Sequence, residues 1–136
     1  MAGPGTAVTG RLLRYLWAGP WTLAAAAMTP VVMLSGGRAV IRAGVLELEG
    51  GWLRAVLRRL PPGPVAAITI GHVVLGSDQK ALDDTRAHER IHVEQFERWG
   101  PFFPFLYGLA SLAAWSRGRD YYRDNRFELE ARTRAG

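Results

Sequence analysis

The sequence contains no cysteine in its 136 residues. The chain therefore has neither disulfides nor thiolate metal ligands, and histidine, aspartate or glutamate must hold any metal ion. Structural zinc sites favour cysteine, so a metal site in this chain would suit a catalytic centre with one open position better. Histidine is also scarce, with only three in the chain. A pair of histidines at metal-ligand spacing is therefore the first pattern to look for.

Acidic residues are few in the first half of the chain. Residues 1–64 carry seven arginines and two acids, whereas residues 65–136 carry ten basic and ten acidic residues. The sequence lacks zinc-finger spacing and other nucleic-acid motifs, so we expect no nucleic-acid partner. Arginine around an apolar segment instead favours an anionic membrane surface. The apolar content of 49% is ordinary for a folded domain.

A charge-free run of 23 residues extends from Tyr15 to Gly37. This length admits a transmembrane helix, and Trp17 and Trp21 near one end fit an interfacial belt. Pro20 and Pro30 predict a kink or two shorter pieces. A buried, broken core helix and a cleaved signal peptide are the alternatives. The run predicts membrane contact through residues 15–37 and a membrane-associated location, with the cytoplasm as the other option.

His88-Glu89-Arg90-Ile91-His92 is an HExxH motif. On a helix, positions i and i+4 share one face, so both imidazoles can reach one Zn²⁺ at about 2.0–2.1 Å. Glu89 is then placed to take a proton from a metal-activated water, as general base. The alternative is a pair of solvated histidines on a charged helix. The motif predicts zinc as the cofactor and metal-dependent hydrolysis as the chemistry.

The rest of the pattern predicts an α+β fold with a small antiparallel sheet. We expect a tail over residues 1–10, an N-terminal apolar helix within residues 1–37, and one domain over residues 38–136 that contains the HExxH helix. The predicted elements of that domain begin with two strands around Gly44, a helix over 52–60 and a strand over 65–75 with a bulge at Gly71. The motif helix follows over about residues 85–99, with Asp83 or Asp84 as its N-cap and Gly100 at its end. A last helix begins at about Asn125.

Two histidines do not complete a catalytic zinc site, which needs a third protein ligand. The candidates are His72, which could also be an ordinary strand residue, and the downstream acids Asp120, Asp124, Glu128 and Glu130. A competing explanation exists for Glu128, because Asn125 as N-cap with Glu128 at the third helical position is a capping-box arrangement. The oxyanion donor that hydrolysis requires could be Tyr107, Tyr121, Tyr122 or His72. Gln95 lies near the same helix face.

His88 to Gln95, in the pattern His-Glu-x-x-His-Val-x-Gln, resembles the active helix of small gluzincin-like metallopeptidases of the zincin superfamily. It is similar to the metallopeptidase-like core domain of bacterial contractile injection systems. The preceding strand segment, residues 67–71, resembles the strand that this family places before its active helix. The pattern Glu128-x-x-Ala131 resembles the family's second zinc-binding helix, and the whole resemblance covers about residues 65–131. The resemblance implies His88, His92 and Glu128 as zinc ligands, Glu89 as general base, and a peptide or protein as substrate.

One position departs from the family pattern. Several gluzincins have an aspartate four residues after the ligand glutamate, where it orients a histidine, and Arg132 stands there in this chain. Such a partner normally fixes the imidazole tautomer, so we expect a lower metal affinity or activity unless Asp124 or another acid substitutes. The competing function is a non-enzymatic, membrane-associated protein that keeps a degenerate, structural zincin site.

A second charge-free run lies between Arg98 and Arg117. If it spanned a bilayer, the histidines and Glu128 would lie on opposite faces, about 30 Å apart, and could not share one ion. With Glu128 as ligand, we therefore expect residues 99–116 not to span, which leaves Tyr15–Gly37 as the one segment available to do so.

Overall fold

Residues 4–61 and 63–136, which the computed structural model describes, form an α+β fold with predominantly helical content. The four strands are β1 (Arg38–Arg42), β2 (Val45–Glu49), β3 (Ala67–Ile70) and β4 (Val73–Gly76). The helices are α1 (Pro4–Trp17), α2 (Gly19–Ala26), α3 (Thr29–Leu34), α4 (Trp52–Leu57), α5 (Gln79–Trp99), α6 (Phe103–Ser116) and α7 (Arg126–Ala135), with a 3₁₀ turn over Gly100–Phe102.

The sheet is mixed rather than antiparallel, which corrects the sequence-based expectation. Its strand order is β1-β2-β4-β3, with two antiparallel hairpins joined by the parallel pair β2 and β4. Parallel neighbours need a long crossover between them, and the segment that contains α4 supplies it. The hairpin around Gly44 follows from the local sequence, whereas the pairing between the two hairpins is a long-range choice. As a result β3 is an edge strand, and it lies beside α5.

Gly71 marks a turn and not a bulge, so the single strand expected over residues 65–75 is wrong. The chain reverses at Gly71 and His72, and β3 pairs with β4 from Ala67 opposite Gly76 to Ile70 opposite Val73. Gly71 has φ +64°, and a Cβ added there would lie 2.7 Å from the backbone nitrogen of Thr22. Glycine is therefore required both by the turn and by the close approach of α2.

The N-terminal apolar run forms short helices and not one continuous helix. Pro20 lies in the first turn of α2 and Pro30 in that of α3, where a missing N–H costs least. The helix α1 already begins at Pro4, so the expected tail is wrong from that residue on, and residues 1–3 lie outside the described part. Ala18, Ala25 and Val32 are fully or almost fully buried.

Among the described residues, no single helix is long and apolar enough to cross a membrane. The two helical segments Thr9–Trp17 and Gly19–Leu34 would be long and apolar enough to cross when taken together, by length and composition only, but they are bent by 67° relative to each other.

The motif helix α5 is longer than predicted, because its N-cap is Asp78 rather than Asp83 or Asp84. The Asp78 Oδ1 accepts a hydrogen bond of 2.8 Å from the Ala81 backbone N–H. The helix ends at Gly100 with φ +58°, as predicted, and α7 begins after Asn125, also as predicted.

A buried carboxylate on β2 anchors α5 to the sheet. Glu47 is 3% exposed and accepts ion pairs from Arg42 at 3.1 Å, Arg86 at 2.9 Å and Arg90 at 3.0 Å. Two of these arginines belong to α5: Arg86 precedes the HExxH motif, and Arg90 lies within it. Because several charge-assisted hydrogen bonds converge on one carboxylate, they fix the rotation of α5 over the sheet.

We therefore expect Glu47→Gln to lower the free energy of unfolding by about 3 kcal/mol. This loss lies at the lower end of the range for a buried ion pair that loses one partner. We expect the lower end because the three arginines are partly exposed. Urea unfolding measures the change. Glu49→Gln is the matched control, since its pair with the exposed Arg38 spans 4.0 Å and should contribute less than about 1 kcal/mol. Equal losses in the two variants would contradict an anchoring role for Glu47.

Candidate metal centre

The HExxH residues are buried between the sheet and the C-terminal helix. One side of α5 packs on β3 and β4, and another packs on α7. Glu89 is 5% and His92 is 6% exposed, while His88 is partly exposed. This burial excludes the alternative of two solvated histidines on a charged helix face.

Three side chains bring their ligand atoms together at this place. Nε2 of His88 lies 3.0 Å from Oε2 of Glu128 and 3.1 Å from Nε2 of His92, which lies 3.2 Å from Oε1 of Glu128. In a tetrahedral site with bonds of about 2.0–2.1 Å, neighbouring ligand atoms are about 3.3 Å apart. The donor set of two imidazoles and a carboxylate therefore fits a metal ion, and this buried group could hold one.

Glu128 is committed to this cluster and does not form a capping box. Asn125 caps α7 through Oδ1, which accepts from the Phe127 N–H at 2.9 Å. The Glu128 carboxylate instead accepts a hydrogen bond of 2.7 Å from the Tyr107 hydroxyl on α6. Burial favours its neutral form, but the hydrogen bonds from His88 and His92 outweigh that effect and hold the pKa of Glu128 well below its usual range. The carboxylate is therefore available as an anionic ligand.

Gln95 orients His92 from within the same helix. Its Oε1 lies 2.8 Å from Nδ1 of His92, and its Nε2 donates to the Phe127 carbonyl at 3.1 Å. The amide oxygen can only accept, so Nδ1 of His92 carries a proton, and Nε2 becomes the metal-binding nitrogen once it releases the proton that it donates to Glu128. Arg132 lies elsewhere and donates to the Arg123 carbonyl. Asp124 accepts from the Asp120 N–H and likewise takes no part in the cluster.

Glu89 faces the cluster without belonging to it. The Thr69 hydroxyl on β3 lies 2.6 Å from Oε2 of Glu89 and donates to it. Burial raises the pKa of Glu89 above its ordinary value, although His92 and the Thr69 hydrogen bond oppose the shift. Burial lowers the pKa of His92, but the hydrogen bond and charge of Glu128 outweigh it and raise that pKa. Glu89 is thus the more basic of the two carboxylates.

A cavity of about 500 Å³ opens beside these groups. Glu89, His92 and Glu128 contribute to its wall. The remaining wall is largely apolar or aromatic, from Trp21, Leu60, Pro61, Val65, Ala67, Ile68, Thr69, Ile70, Phe96, Phe103, Pro104, Tyr107, Tyr121 and Tyr122. Burial, together with the charges of Glu128 and Glu89, raises the pKa of Tyr122 to about 12. Its hydroxyl therefore stays protonated at neutral pH and can donate a hydrogen bond.

Two of the other candidate ligands point away from the cluster. His72 lies in the β3–β4 turn, where Nε2 contacts Glu97 at 3.0 Å and the ring stacks on Tyr15. It lines a second cavity, of about 740 Å³, and not the one beside the metal ligands. Glu130 pairs with Arg134 at 3.2 Å on the exposed side of α7. Only Glu128 of the candidate third ligands joins the two histidines.

Sequence reasoning missed Thr69 as a partner of Glu89. The available signal was its position, because Thr69 is the one polar residue in the strand Ala67–Ile70. A lone hydroxyl on a strand that packs against a helix needs a buried partner, and Glu89 provides it. Tyr107 was considered as an oxyanion donor, but its hydroxyl is bonded to Glu128.

Comparisons with protein-family models, curated proteins and solved structures find no match for this chain.

The geometry predicts one zinc ion per chain in protein purified without chelator, measured by elemental analysis. His88→Ala, His92→Ala and Glu128→Ala should each weaken zinc binding more than about 100-fold in calorimetric titration. Gln95→Leu should weaken it about 10–100-fold, the usual cost of losing a group that orients a ligand. Glu130→Ala is the matched control and should leave the affinity unchanged. A Glu128→Ala protein that binds zinc normally and loses only about 0.5–2 kcal/mol of stability would reduce Glu128 to a capping role.

Proposed function

We propose that this protein is a zinc-dependent hydrolase, a metallopeptidase of the zincin type. The observation that carries the proposal is the position of Glu89, a buried carboxylate of raised pKa in the wall of the same cavity as His92 and Glu128. A structural metal site does not require an additional buried carboxylate that does not ligate. A hydrolytic site requires one, because water must lose a proton as it attacks.

The donor set supports zinc. Two imidazoles and one carboxylate, with a fourth position left open, are the ligand set of catalytic zinc in several peptidases. When bound, zinc lowers the pKa of a water molecule and polarises a carbonyl group. His88, His92 and Glu128 would hold the ion, and Gln95 would keep His92 in the correct tautomer.

Glu89 would move the protons of the reaction. Its carboxylate accepts one from the attacking water and donates it to the leaving nitrogen when the amide bond breaks. Burial makes Glu89 a stronger base than an exposed glutamate, which brings its pKa closer to neutral pH. The Thr69 hydroxyl holds one carboxylate oxygen and thereby fixes the orientation of the other.

Tyr122 would stabilise the oxyanion. The hydroxyl of Tyr107 is occupied by Glu128, and His72 lies at the other cavity. Tyr122 lines the cavity, and its pKa of about 12 keeps the proton in place for donation. A preorganised donor of this kind acts on charge that develops only in the transition state.

The cavity wall suggests the substrate class. Aliphatic and aromatic side chains form most of it, so a group that binds there would be apolar. We therefore propose peptides with a large apolar residue next to the cleaved bond. Quenched fluorescent peptides that carry leucine or phenylalanine at this position are the probe.

Glu89→Gln should retain zinc and lower kcat on these peptides about 10²–10⁴-fold, because an amide cannot accept the proton. Glu94→Gln is the matched control, as Glu94 lies on the same helix with about half of its side chain exposed, and its kcat should be unchanged. The measurements are peptide cleavage and zinc content of both variants. Equal turnover by wild type and Glu89→Gln would favour the competing function, a non-enzymatic protein with a structural metal.

Tyr122→Phe should lower kcat about 10²–10³-fold with little change in KM, the usual cost of removing one oxyanion donor. Zinc affinity should not change, because Tyr122 is not a ligand. The control is Tyr121→Phe, whose side chain also lines the cavity but is 42% exposed. If Tyr121→Phe lost as much activity as Tyr122→Phe, the donor would be assigned to the wrong tyrosine.

A further inference from the structure

Two stretches of the chain, α1 and α6, each expose several large apolar side chains. Among the described residues, α1 exposes Leu12, Leu13 and Leu16, and α6 exposes Phe105, Leu109 and Leu112. We call this set the apolar face. Soluble monomers rarely expose contiguous apolar patches of more than a few hundred Å², and larger ones mark binding surfaces.

The helix α6 is apolar on its outer side as well as on its inner side. Phe103 and Ala114 are buried against the rest of the protein. Phe105, Leu109 and Leu112 lie on the other side of the helix and are 67%, 62% and 56% exposed. A surface helix normally carries polar residues on its outer face. An outer face without any charge requires an apolar or interfacial environment.

The two stretches meet in space. The Trp17 ring at the end of α1 contacts the Phe102 ring edge to face, with 6.0 Å between their centroids. In the next helix, Trp21 donates from Nε1 to the Pro101 carbonyl at 2.9 Å. The apolar side chains of α1 and α6 therefore adjoin around this contact.

Arginines flank the apolar face at both helices. Arg11 and Arg14 lie on α1, although both line the second cavity together with Glu94 and Glu97. Between Glu97 and Asp120 the chain contains Arg98, Arg117 and Arg119 and no acid. This excess of positive charge at the ends of α6 favours an anionic partner over a second copy of the same surface.

Tryptophan lies at the ends of α6, where a membrane interface would place it. Trp99 precedes the helix and Trp115 lies in its last turn, and both are exposed. Trp17 is exposed at the junction with α1. Indole rings prefer the boundary between lipid chains and water, where one edge is apolar and the N–H reaches a hydrogen-bond acceptor.

From these observations we infer that the apolar face binds the surface of an anionic lipid bilayer, with α1 and α6 in the interface and the sheet on the water side. Leucine and phenylalanine of α6 enter the boundary of the acyl chains, and the flanking arginines contact anionic headgroups. The protein is held from one side, without a need for any segment to cross.

In this arrangement the proposed active site lies close to the membrane surface, a consequence that rests on the proposed function. Phe103 and Tyr107 on the inner side of α6, and Trp21 of α2, line the cavity beside the metal ligands. The helix that enters the interface is therefore a wall of the substrate cavity. Apolar residues of peptides held at the membrane surface would reach it over a short path.

Vesicle co-sedimentation of the full chain tests the inference, with vesicles of phosphatidylcholine alone or mixed with phosphatidylglycerol. The protein should bind the mixed vesicles more tightly, and binding should weaken as salt is raised. Arg117→Gln with Arg119→Gln should lower the partition coefficient about 30-fold (about 2 kcal/mol). Arg58→Gln with Arg59→Gln, on exposed positions after α4, is the matched control and should bind like wild type.

The triple variant Phe105→Ser, Leu109→Ser, Leu112→Ser should lower binding roughly tenfold or more, through lost apolar contact. Ile41→Ser with Leu129→Ser, exposed apolar residues outside the face, controls for general effects. Binding should be equal with and without zinc, so this test is independent of hydrolysis. Absence of binding to mixed vesicles at low salt would overturn the inference. So would a wild-type dimer in light scattering that the triple variant dissociates, since the face would then join two copies of the chain.

Discussion

A single buried carboxylate, that of Glu128, sets the arrangement of the three C-terminal helices. It is 3% exposed, and burying an anion is costly unless donors surround it. The donors come from α5 through His88 and His92, and from α6 through Tyr107. The position of α7 is therefore fixed by the need to satisfy this group. The histidines depend on it in turn, because without Glu128 their Nε2 atoms would face each other with no anion between them.

Two glutamates in one cavity acquire opposite acid–base properties from their surroundings. Hydrogen bonds from the histidines lower the pKa of Glu128, whereas burial with a single hydroxyl partner raises that of Glu89. Groups whose pKa values are pushed apart in this way are suited to different tasks. The proposed ligand and the proposed base differ in this respect because of their positions on α7 and α5, and not because of their residue type.

The apolar helices link the site to the proposed membrane contact. The inner side of α6 supplies Phe103 and Tyr107 to the cavity, and its outer side supplies Phe105 and Leu109 to the apolar face. Because α6 carries no charge over its whole length, both of its sides are apolar. Its outer side is then stable only if an apolar partner or a membrane interface covers it. The helix α1 differs from α6, because it carries Arg11 and Arg14 beside its exposed leucines.

The sequence alone determined the local features: the HExxH spacing, the Gly100 end of α5, the Asn125 cap and the two strands around Gly44. These depend on side chains a few residues apart, where helix and turn geometry leaves little choice. Tertiary structure decided what depends on distant residues. The parallel pairing of β2 with β4, the choice of Glu128 over Glu130 and His72, and the role of Gln95 beside His92 all arise from packing between elements. Thr69 and Glu47 are buried partners for the same reason, since sequence spacing carries no record of which strand will lie beneath α5.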